Sequence, residues 1–228
     1  MQVNDNGCPF CNEFNGHQER SYFAVMFGSK YGIKQRCIFE TEHFACVPSI
    51  GSFVEGYLLV IPKQHFLSSL VIPASYTPEL LSILSRISVF YDKAYHKGMI
   101  LYEHGTADAQ KAGGMSVVHA HLHFVPCSQP VVTKCSEFSF MRFPSFSEAA
   151  KYYSMNQNSP YLLLRDVDGS FYFSTSDEIP SQYFRKRVCD LCGIPGTGDW
   201  KEYPYVGHIK KTLAAAKRFD FNDVSRGE

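Results

Sequence analysis

The chain has 228 residues, 45% of them hydrophobic, so it can bury a core as one large domain or as a domain with a substantial extension. Its 22 basic residues balance its 22 acidic residues, which excludes a basic field for binding along an extended nucleic-acid surface. No apolar run reaches the length of a membrane span, and residues 1–6 lack the pattern of a secretory leader, so we expect a soluble, cytoplasmic protein.

The cysteines indicate metal binding more than cross-linking. Eight cysteines in a long chain without an export signal favour metal ligands or reduced thiols over a disulfide framework. Cys8 and Cys11 have the spacing of a turn that gives two thiolates to a tetrahedral zinc site, although two semi-buried thiols have the same spacing. Cys189 and Cys192 repeat it, but His208 is their one nearby candidate ligand, which favours ordinary helix-face cysteines.

The first half of the chain predicts strands around one long helix. Residues 36–48 alternate as a pair of strands, and residues 56–62 form an apolar run typical of a buried strand. A helix with one apolar stripe is predicted to begin with Thr77 as its N-cap and to end in a left-handed cap at Gly98. A further strand is predicted over residues 99–103.

Three histidines alternate with apolar residues in residues 116–125. In an extended strand alternate side chains share a face, so His119, His121 and His123 are expected on one face. Such a face serves as a metal site, as a polar surface in solvent, or as a nucleophilic site, because neutral imidazole attacks phosphorus without a separate base.

A small-residue loop precedes these histidines. The backbone N–H groups around Gly113 and Gly114 can close around an anion without interference from side chains. The polar pair Glu103 and His104 enters this loop and either faces the same cavity as the histidines or lies in water.

The chain beyond residue 126 predicts a hairpin and helices. Val167-Asp168-Gly169 separates two apolar runs, which indicates a hairpin turn. Helices are predicted near residues 147–153, from residue 179 toward Gly193, and over residues 207–218. We expect Gln182 and Arg185 to point into a phosphate-binding cleft, and the alternative is a charged face in solvent.

Three motifs occur in an order that resembles the histidine triad (HIT) superfamily. They are Cys8-x-x-Cys11, the strand ending in Ile-Pro-Lys-Gln-His65, and the run His-Ala-His-Leu-His-Phe-Val that begins at His119. Together they span residues 8–126. The chain is similar to the zinc-containing, HIT-like nucleotide hydrolases that carry a C-terminal extension.

The resemblance implies an α+β, HIT-like fold. It consists of an antiparallel sheet with a long helix, plus a C-terminal hairpin-and-helix extension. We expect residues 1–126 to form the HIT core with its N-terminal zinc knuckle, and residues 127–228 to form an extension packed on that core. Many members pair as homodimers, but here the extension can occupy the pairing surface, so the oligomeric state stays open.

The resemblance also implies a structural zinc ion. In zinc-containing members, the two cysteines are joined by the histidine that closes the Ile-Pro-Lys strand and by the first histidine of the triad. The matching ligands here are Cys8, Cys11, His65 and His119. Four protein ligands leave no open position for a reacting water.

The triad positions imply a nucleotidyl hydrolase that works through a covalent intermediate. His121 matches the nucleophile, His119 orients its ring through a backbone carbonyl, and His123 stabilises charge on the phosphate oxygens. Ser116 matches a serine that contacts phosphate. Ser49 stands where many members carry an aspartate that binds ribose, and a serine hydroxyl is a weaker partner for a diol.

Several alternatives remain open on the sequence. The transferase branch carries glutamine at the third triad position, so His123 favours hydrolysis of a nucleotide phosphoanhydride, phosphoester or phosphoramidate over nucleotidyl transfer or phosphorolysis. A metalloenzyme would use the three histidines as ligands around an open coordination position. A noncatalytic nucleotide-binding module would keep the cleft without turnover.

Overall fold

The structure, a computed structural model, describes residues 7–14, 18–106, 108, 117–155 and 159–222. The strands are β1 (Phe39–Glu40), β2 (Phe44–Pro48), β3 (Leu58–Pro62), β4 (Met99–Gly105), β5 (Leu122–Pro126), β6 (Met141–Phe143), β7 (Tyr161–Arg165) and β8 (Phe171–Thr175). The α-helices are α1 (Pro9–Phe14), α2 (Ser29–Tyr31), α3 (Thr77–Tyr95), α4 (Phe146–Met155), α5 (Tyr183–Leu191) and α6 (Val206–Ala216). None of these helices has the length and apolar character needed to span a bilayer.

The strands form one antiparallel sheet in the order β1-β2-β3-β5-β4-β7-β8-β6. This sheet and the 19-residue helix α3 confirm the predicted α+β class. The hairpin β7–β8 turns at Gly169, which has φ +81°, as its sequence predicts. The hairpin pairs with β4 and so extends the sheet. The division at residue 126 stays a prediction, and strands from both sides of it are hydrogen-bonded neighbours.

Two apolar cores lie on opposite faces of the sheet. Leu101 of β4 packs in the core that contains the apolar face of α3, whereas the next residue, Tyr102, packs in the core that contains Phe184 of α5. This alternation follows from the pleat of a strand, which turns successive side chains to opposite faces. Helices α3 and α4 therefore cover one face, and the other face is covered by α5 and by Phe10 of α1.

The end of α3 differs from the prediction that placed its left-handed cap at Gly98. His96 takes that conformation, with φ 50°, and its N–H donates to the carbonyl of Asp92. Gly98 already lies beside the sheet, where its carbonyl accepts the N–H of Cys127 at 3.0 Å. The chain must enter β4 at Met99, so the helix ends at Tyr95 and its left-handed cap lies two residues before the glycine. At the other end of α3, Thr77 is the first helical residue and not the N-cap.

Strand β5 is shorter than the predicted strand over residues 116–125. It begins at Leu122, so only His123 of the three histidines lies within it. The N–H of Ala120 donates instead to the carbonyl of Phe66, at 2.6 Å, in the loop that follows β3. His119 joins a cluster with Cys8, Cys11 and His65, and the ring of Phe10 contacts both His119 and His121. The expectation of one common face for all three histidines stays a prediction.

Candidate active site and metal centre

Four cysteine and histidine side chains converge at the entrance to β5. The ligand atoms of Cys8, Cys11, His65 and His119 all lie within 4.8 Å of one another. Nδ1 of His119 lies 3.3 Å from Sγ of Cys8, and Nδ1 of His65 lies 3.3 Å from Sγ of Cys11. Helix α1 carries Cys11, the loop after β3 carries His65, and the segment before β5 carries His119. The three segments meet at one point although up to 111 residues separate their ligands.

The hydrogen bonding of His119 fits a metal ligand. Its Nε2 lies 2.8 Å from the carbonyl oxygen of Pro62, which can only accept, so Nε2 carries the proton. The lone pair is therefore on Nδ1, the atom that faces the two thiols. A partner on the second ring nitrogen is the usual way in which proteins orient a metal-binding histidine. Two thiolates and two imidazoles are a ligand set typical of zinc.

A cavity of about 370 Å³ lies on the α5 face of the sheet. This volume is within the range of small-molecule sites, about 300–1,000 Å³. His121 and His123 line it, with their ring centroids 4.8 Å apart. Among the described residues, the cluster with metal-ligand spacing includes neither of these two histidines. The alternative in which all three histidines hold one metal is therefore not supported.

His121 presents a defined nitrogen to the cavity. Its Nδ1 lies 2.7 Å from the carbonyl oxygen of His119, so Nδ1 carries the proton and Nε2 keeps a free lone pair. Removal of the ring from solvent lowers the pKa of His121, and the charge of Arg185 lowers it further. The imidazole is consequently neutral at physiological pH. Phe10 contacts its ring edge at a centroid distance of 5.4 Å.

Glu103 and His104 do not act as a pair, because consecutive residues of β4 point to opposite faces. His104 lines the cavity, and burial together with nearby His121 lowers its pKa to about 4. Glu103 lies on the α3 face, where its carboxylate accepts hydrogen bonds from Ser69 and Tyr161 and from the backbone N–H of His121. The expectation that Glu103 contacts substrate is thus corrected. Glu103 instead holds the backbone of His121 from the face of the sheet opposite the cavity.

Burial of Glu103 predicts a pH-dependent stability. Desolvation outweighs the hydrogen bonds and raises the pKa of this carboxyl from 4.5 to about 7. Between these two pH values the folded state keeps a proton that the unfolded state has lost, so the unfolding free energy falls as the pH rises. The expected loss is about 3 kcal/mol. Urea unfolding at pH 4.5 and 7.5 should show this slope in the wild type but not in Glu103→Gln.

Burial also lowers the pKa of His119, to about 3, so the informative quantity is the difference between the two proteins. Glu178→Gln removes an exposed carboxylate and is the matched control. It should keep the wild-type pH dependence. Equal slopes in wild type and Glu103→Gln would contradict a raised pKa at Glu103.

The other predicted site residues have different outcomes. Gly113, Gly114 and Ser116 lie outside the described residues. Ser49 lines the cavity, and its hydroxyl donates to the carbonyl of Ile50 at 3.0 Å. Gln182 also lines the cavity, as the prediction for the C-terminal part proposed.

Arg185 lines the cavity too, but its guanidinium is held by the protein. Nε donates to the carbonyl of Gly198 at 3.0 Å, and Nη2 donates to the carbonyl of Gly51 at 2.6 Å. Nη1 donates to the hydroxyl of Tyr57 at 2.8 Å. With three anchored nitrogens, Arg185 is rigid, and it is less suited to clamp a phosphate than its sequence position predicts.

Sequence reasoning missed the aromatic wall of the cavity. Phe10, Tyr22 and Trp200 line it from three distant segments, and the rings of Tyr22 and Trp200 meet edge to face at 5.4 Å. It also missed Glu13, whose carboxylate forms a bidentate pair with Arg36 at 2.7 Å on the same wall. No periodicity or spacing connects these residues. The single tryptophan of the chain was the one compositional signal available.

Comparisons with known proteins agree with the triad motifs. The HIT domain family matches residues 30–129. A zinc finger CCCH domain-containing protein of Arabidopsis thaliana is 26% identical over 70% of this chain, which spans only 28% of the length of that relative. A zinc-bound histidine triad family protein from Mycobacterium smegmatis is 24% identical, with 65% of this chain and 91% of that chain covered and a TM-score of 0.40. A hypothetical histidine triad nucleotide-binding protein from Sulfolobus tokodaii is also 24% identical, with 54% and 70% covered and a TM-score of 0.39.

Proposed function

Because the chain carries a HIT domain over residues 30–129, we propose that it is a nucleotidyl hydrolase that forms a covalent intermediate on His121. The observation that carries this proposal is the hydrogen bond from Nδ1 of His121 to the carbonyl of His119. It leaves a neutral nitrogen with a free lone pair in a cavity of suitable size. No general base is needed for the first step, because the attacking atom carries no proton.

In the first step, Nε2 of His121 attacks the phosphorus of a nucleotide ester, anhydride or phosphoramidate. A nitrogen–phosphorus bond forms as the bond to the leaving group breaks, and the leaving group takes the electron pair. The new positive charge on the ring is shared with the Nδ1–H donor and the His119 carbonyl. Water then attacks the phosphorus, the electron pair of the nitrogen–phosphorus bond returns to Nε2 to restore neutral His121, and the proton that the water loses passes to solvent.

The proposed metal centre helps to hold the nucleophile in position. We propose that Cys8, Cys11, His65 and His119 hold zinc, which would fix helix α1 and the triad segment to each other. The carbonyl that orients His121 belongs to His119, a ligand of that centre. Positional error of the ring would therefore be small, and a nucleophile held in one orientation reacts faster than one that samples several.

The remaining walls suit a nucleoside. The rings of Tyr22 and Trp200 offer faces and edges for a base, because base–aromatic stacking contributes about 1–3 kcal/mol per base. Arg36, which holds the Glu13 carboxylate, also donates to the carbonyl of Pro48, next to Ser49. Glu13 thus brings a charged acceptor close to Ser49. The Glu13 carboxylate is better suited than the Ser49 hydroxyl to accept a hydrogen bond from a ribose hydroxyl.

Gln182, which lines the cavity, provides a test of substrate contact. Its Oε1 is buried without a hydrogen-bond partner, although the residue lines the cavity. A ligand that donates to this atom would satisfy it. Gln182→Asn withdraws the amide by one methylene and suits the left-handed backbone of this residue, which has φ 59°. We expect KM to rise about 2- to 10-fold with kcat little changed.

Steady-state kinetics on one substrate would measure this effect. Gln129→Asn, the same change at an exposed residue outside the cavity, should leave KM as in the wild type. An unchanged KM in Gln182→Asn would show that substrate does not reach Oε1.

The function itself is tested by trapping the intermediate. The protein is mixed briefly with nucleoside phosphoramidates, dinucleoside polyphosphates or nucleotide sugars, quenched without acid, and weighed by intact-protein mass spectrometry. We expect a nucleotidyl adduct on the wild type and none on His121→Gly, and its mass would name the nucleotide. Nucleotide binding without adduct or turnover across this panel would instead favour the noncatalytic binding module.

A further inference from the structure

A buried polar network joins the C-terminal segment to the third histidine of the triad. The hydroxyl of Tyr57 lies 2.8 Å from Nη1 of Arg185 and 2.8 Å from Nδ1 of His123. The hydroxyl of Tyr102 approaches the same oxygen at 2.6 Å. The ring of Tyr102 also stacks on that of His123, with centroids 4.8 Å apart and an interplanar angle of 15°. Three polar groups therefore converge on one phenolic oxygen.

The number of lone pairs limits how this network can be protonated. A phenolic oxygen accepts two hydrogen bonds and donates one, and a guanidinium can only donate. Burial raises the pKa of both tyrosines, so both hydroxyls keep their protons. If Arg185 and Tyr102 donate to Tyr57, both lone pairs are used, and the Tyr57 proton goes to the remaining neighbour, Nδ1 of His123.

The reverse assignment is unfavourable. If Tyr57 donated to Tyr102, the Tyr102 proton would have no acceptor among the described residues, because the Tyr102 hydroxyl contacts the Tyr57 oxygen alone and Tyr102 is only 2% exposed. An unmade hydrogen bond in such a place costs about 1–3 kcal/mol. Nδ1 of His123 would then have to donate to Tyr57 beside the Arg185 charge. The first assignment gives each of these protons an acceptor.

We propose that Arg185, acting through Tyr57, is a positioning residue that fixes His123 as the tautomer with its proton on Nε2. The Nε2–H then faces the cavity as a hydrogen-bond donor. A donor there would stabilise a nonbridging phosphate oxygen as its charge develops, and this use of the proton rests on the proposed function. The tautomer itself follows from the network alone.

Arg185 is built to be immobile in this role. Its guanidinium packs over the rings of Phe53 and Tyr57, with distances of 5.4 and 5.1 Å to their centroids. Gly51, one of its acceptors, has φ +75°, and a Cβ there would overlap Trp200 and lie 2.8 Å from Nη2 of Arg185. The loop after β2 therefore needs glycine for the close approach. Burial and the nearby Arg185 charge also lower the pKa of His123, which keeps its ring neutral.

The tautomer can be read without any substrate. The full chain, labelled with ¹⁵N and loaded with zinc, is studied by long-range ¹H–¹⁵N correlation, and the His123 signals are assigned by their loss in His123→Asn. We expect the wild type to show a protonated Nε2 and an unprotonated Nδ1. Arg185→Met should lose this preference and show averaged nitrogens, because Tyr57 regains a free lone pair that can accept from Nδ1–H. Arg142→Met, an exposed arginine outside the cavity, is the control and should match the wild type.

Tyr57→Phe is the second variant, and it tests the inference even if Arg185→Met does not fold. It removes one oxygen and keeps the ring, so the protein should fold while His123 loses its fixed tautomer. A protonated Nδ1 in the wild type, or an unchanged tautomer in either folded variant, would overturn the inference. In turnover assays Arg185→Met should lower kcat more than it raises KM. Absence of turnover in the wild type with the expected tautomer would count against the proposed function alone.

Discussion

His121→Gly is expected to lower kcat by about 10⁴- to 10⁶-fold, the range seen when a covalent nucleophile or its partner is removed from a hydrolase. Glycine removes the imidazole, so no atom remains to attack phosphorus from the position that the His119 carbonyl fixes. KM should change far less, since the aromatic wall and Gln182 remain. Steady-state kinetics with the nucleotide identified by adduct mass would measure both constants.

A matched control separates loss of the nucleophile from loss of any histidine. His96→Asn removes an exposed imidazole outside the cavity, and asparagine tolerates the left-handed conformation of that residue. We expect its kcat to equal that of the wild type. A kcat for His121→Gly within tenfold of the wild type would rule out covalent catalysis at this residue.

Loss of the proposed metal centre is expected to have the largest effect on stability. Cys11→Ser replaces a buried, proposed thiolate ligand with a poor one, and the segments that carry Cys8, His65 and His119 would then lose their common anchor. Loss of a structural metal belongs to the changes that exceed about 4 kcal/mol. For a chain of this size this corresponds to a fall in Tm of about 8–16 °C. Calorimetry with and without a chelator, together with the zinc content per chain, would measure it.

Cys192→Ser is the control for this prediction, because Cys192 is an exposed thiol outside the cluster. Its Tm and zinc content should remain those of the wild type. A chelator should lower the Tm of the wild type and of Cys192→Ser equally, and should have little further effect on Cys11→Ser. One zinc per chain in Cys11→Ser at an unchanged Tm would exclude Cys11 as a ligand.

Much of the fold was predictable because local spacing determines it. The apolar stripe of α3, the apolar run of β3 and the turn at Gly169 are each read from fewer than about 20 consecutive residues. The predictions failed where an element ends. The left-handed cap of helix α3 is His96 and not Gly98, because Gly98 already accepts a hydrogen bond from Cys127 beside the sheet.

The site divides in the same way. The triad motif and the Cys-x-x-Cys pair were visible, and the resemblance brought His65 into the ligand set that the structure assembles. The choice between Glu103 and His104 was not visible, since it depends on which face of β4 meets the cavity. The same holds for Phe10, Tyr22 and Trp200, which come together only through folding.

By itself, the sequence determined which groups the proposed chemistry uses: the histidines of the triad motif, a candidate ligand set of sulfur and nitrogen atoms, and the helix and hairpin around them. Only the tertiary structure decided how these groups are oriented. The tautomer of His123 depends on Tyr57, which lies 66 residues before it, and on Arg185, which lies 128 residues after Tyr57. The position of a proton depends on which donor and acceptor atoms lie about 3 Å apart, and the spacing of residues along a chain does not determine such distances between segments so far apart.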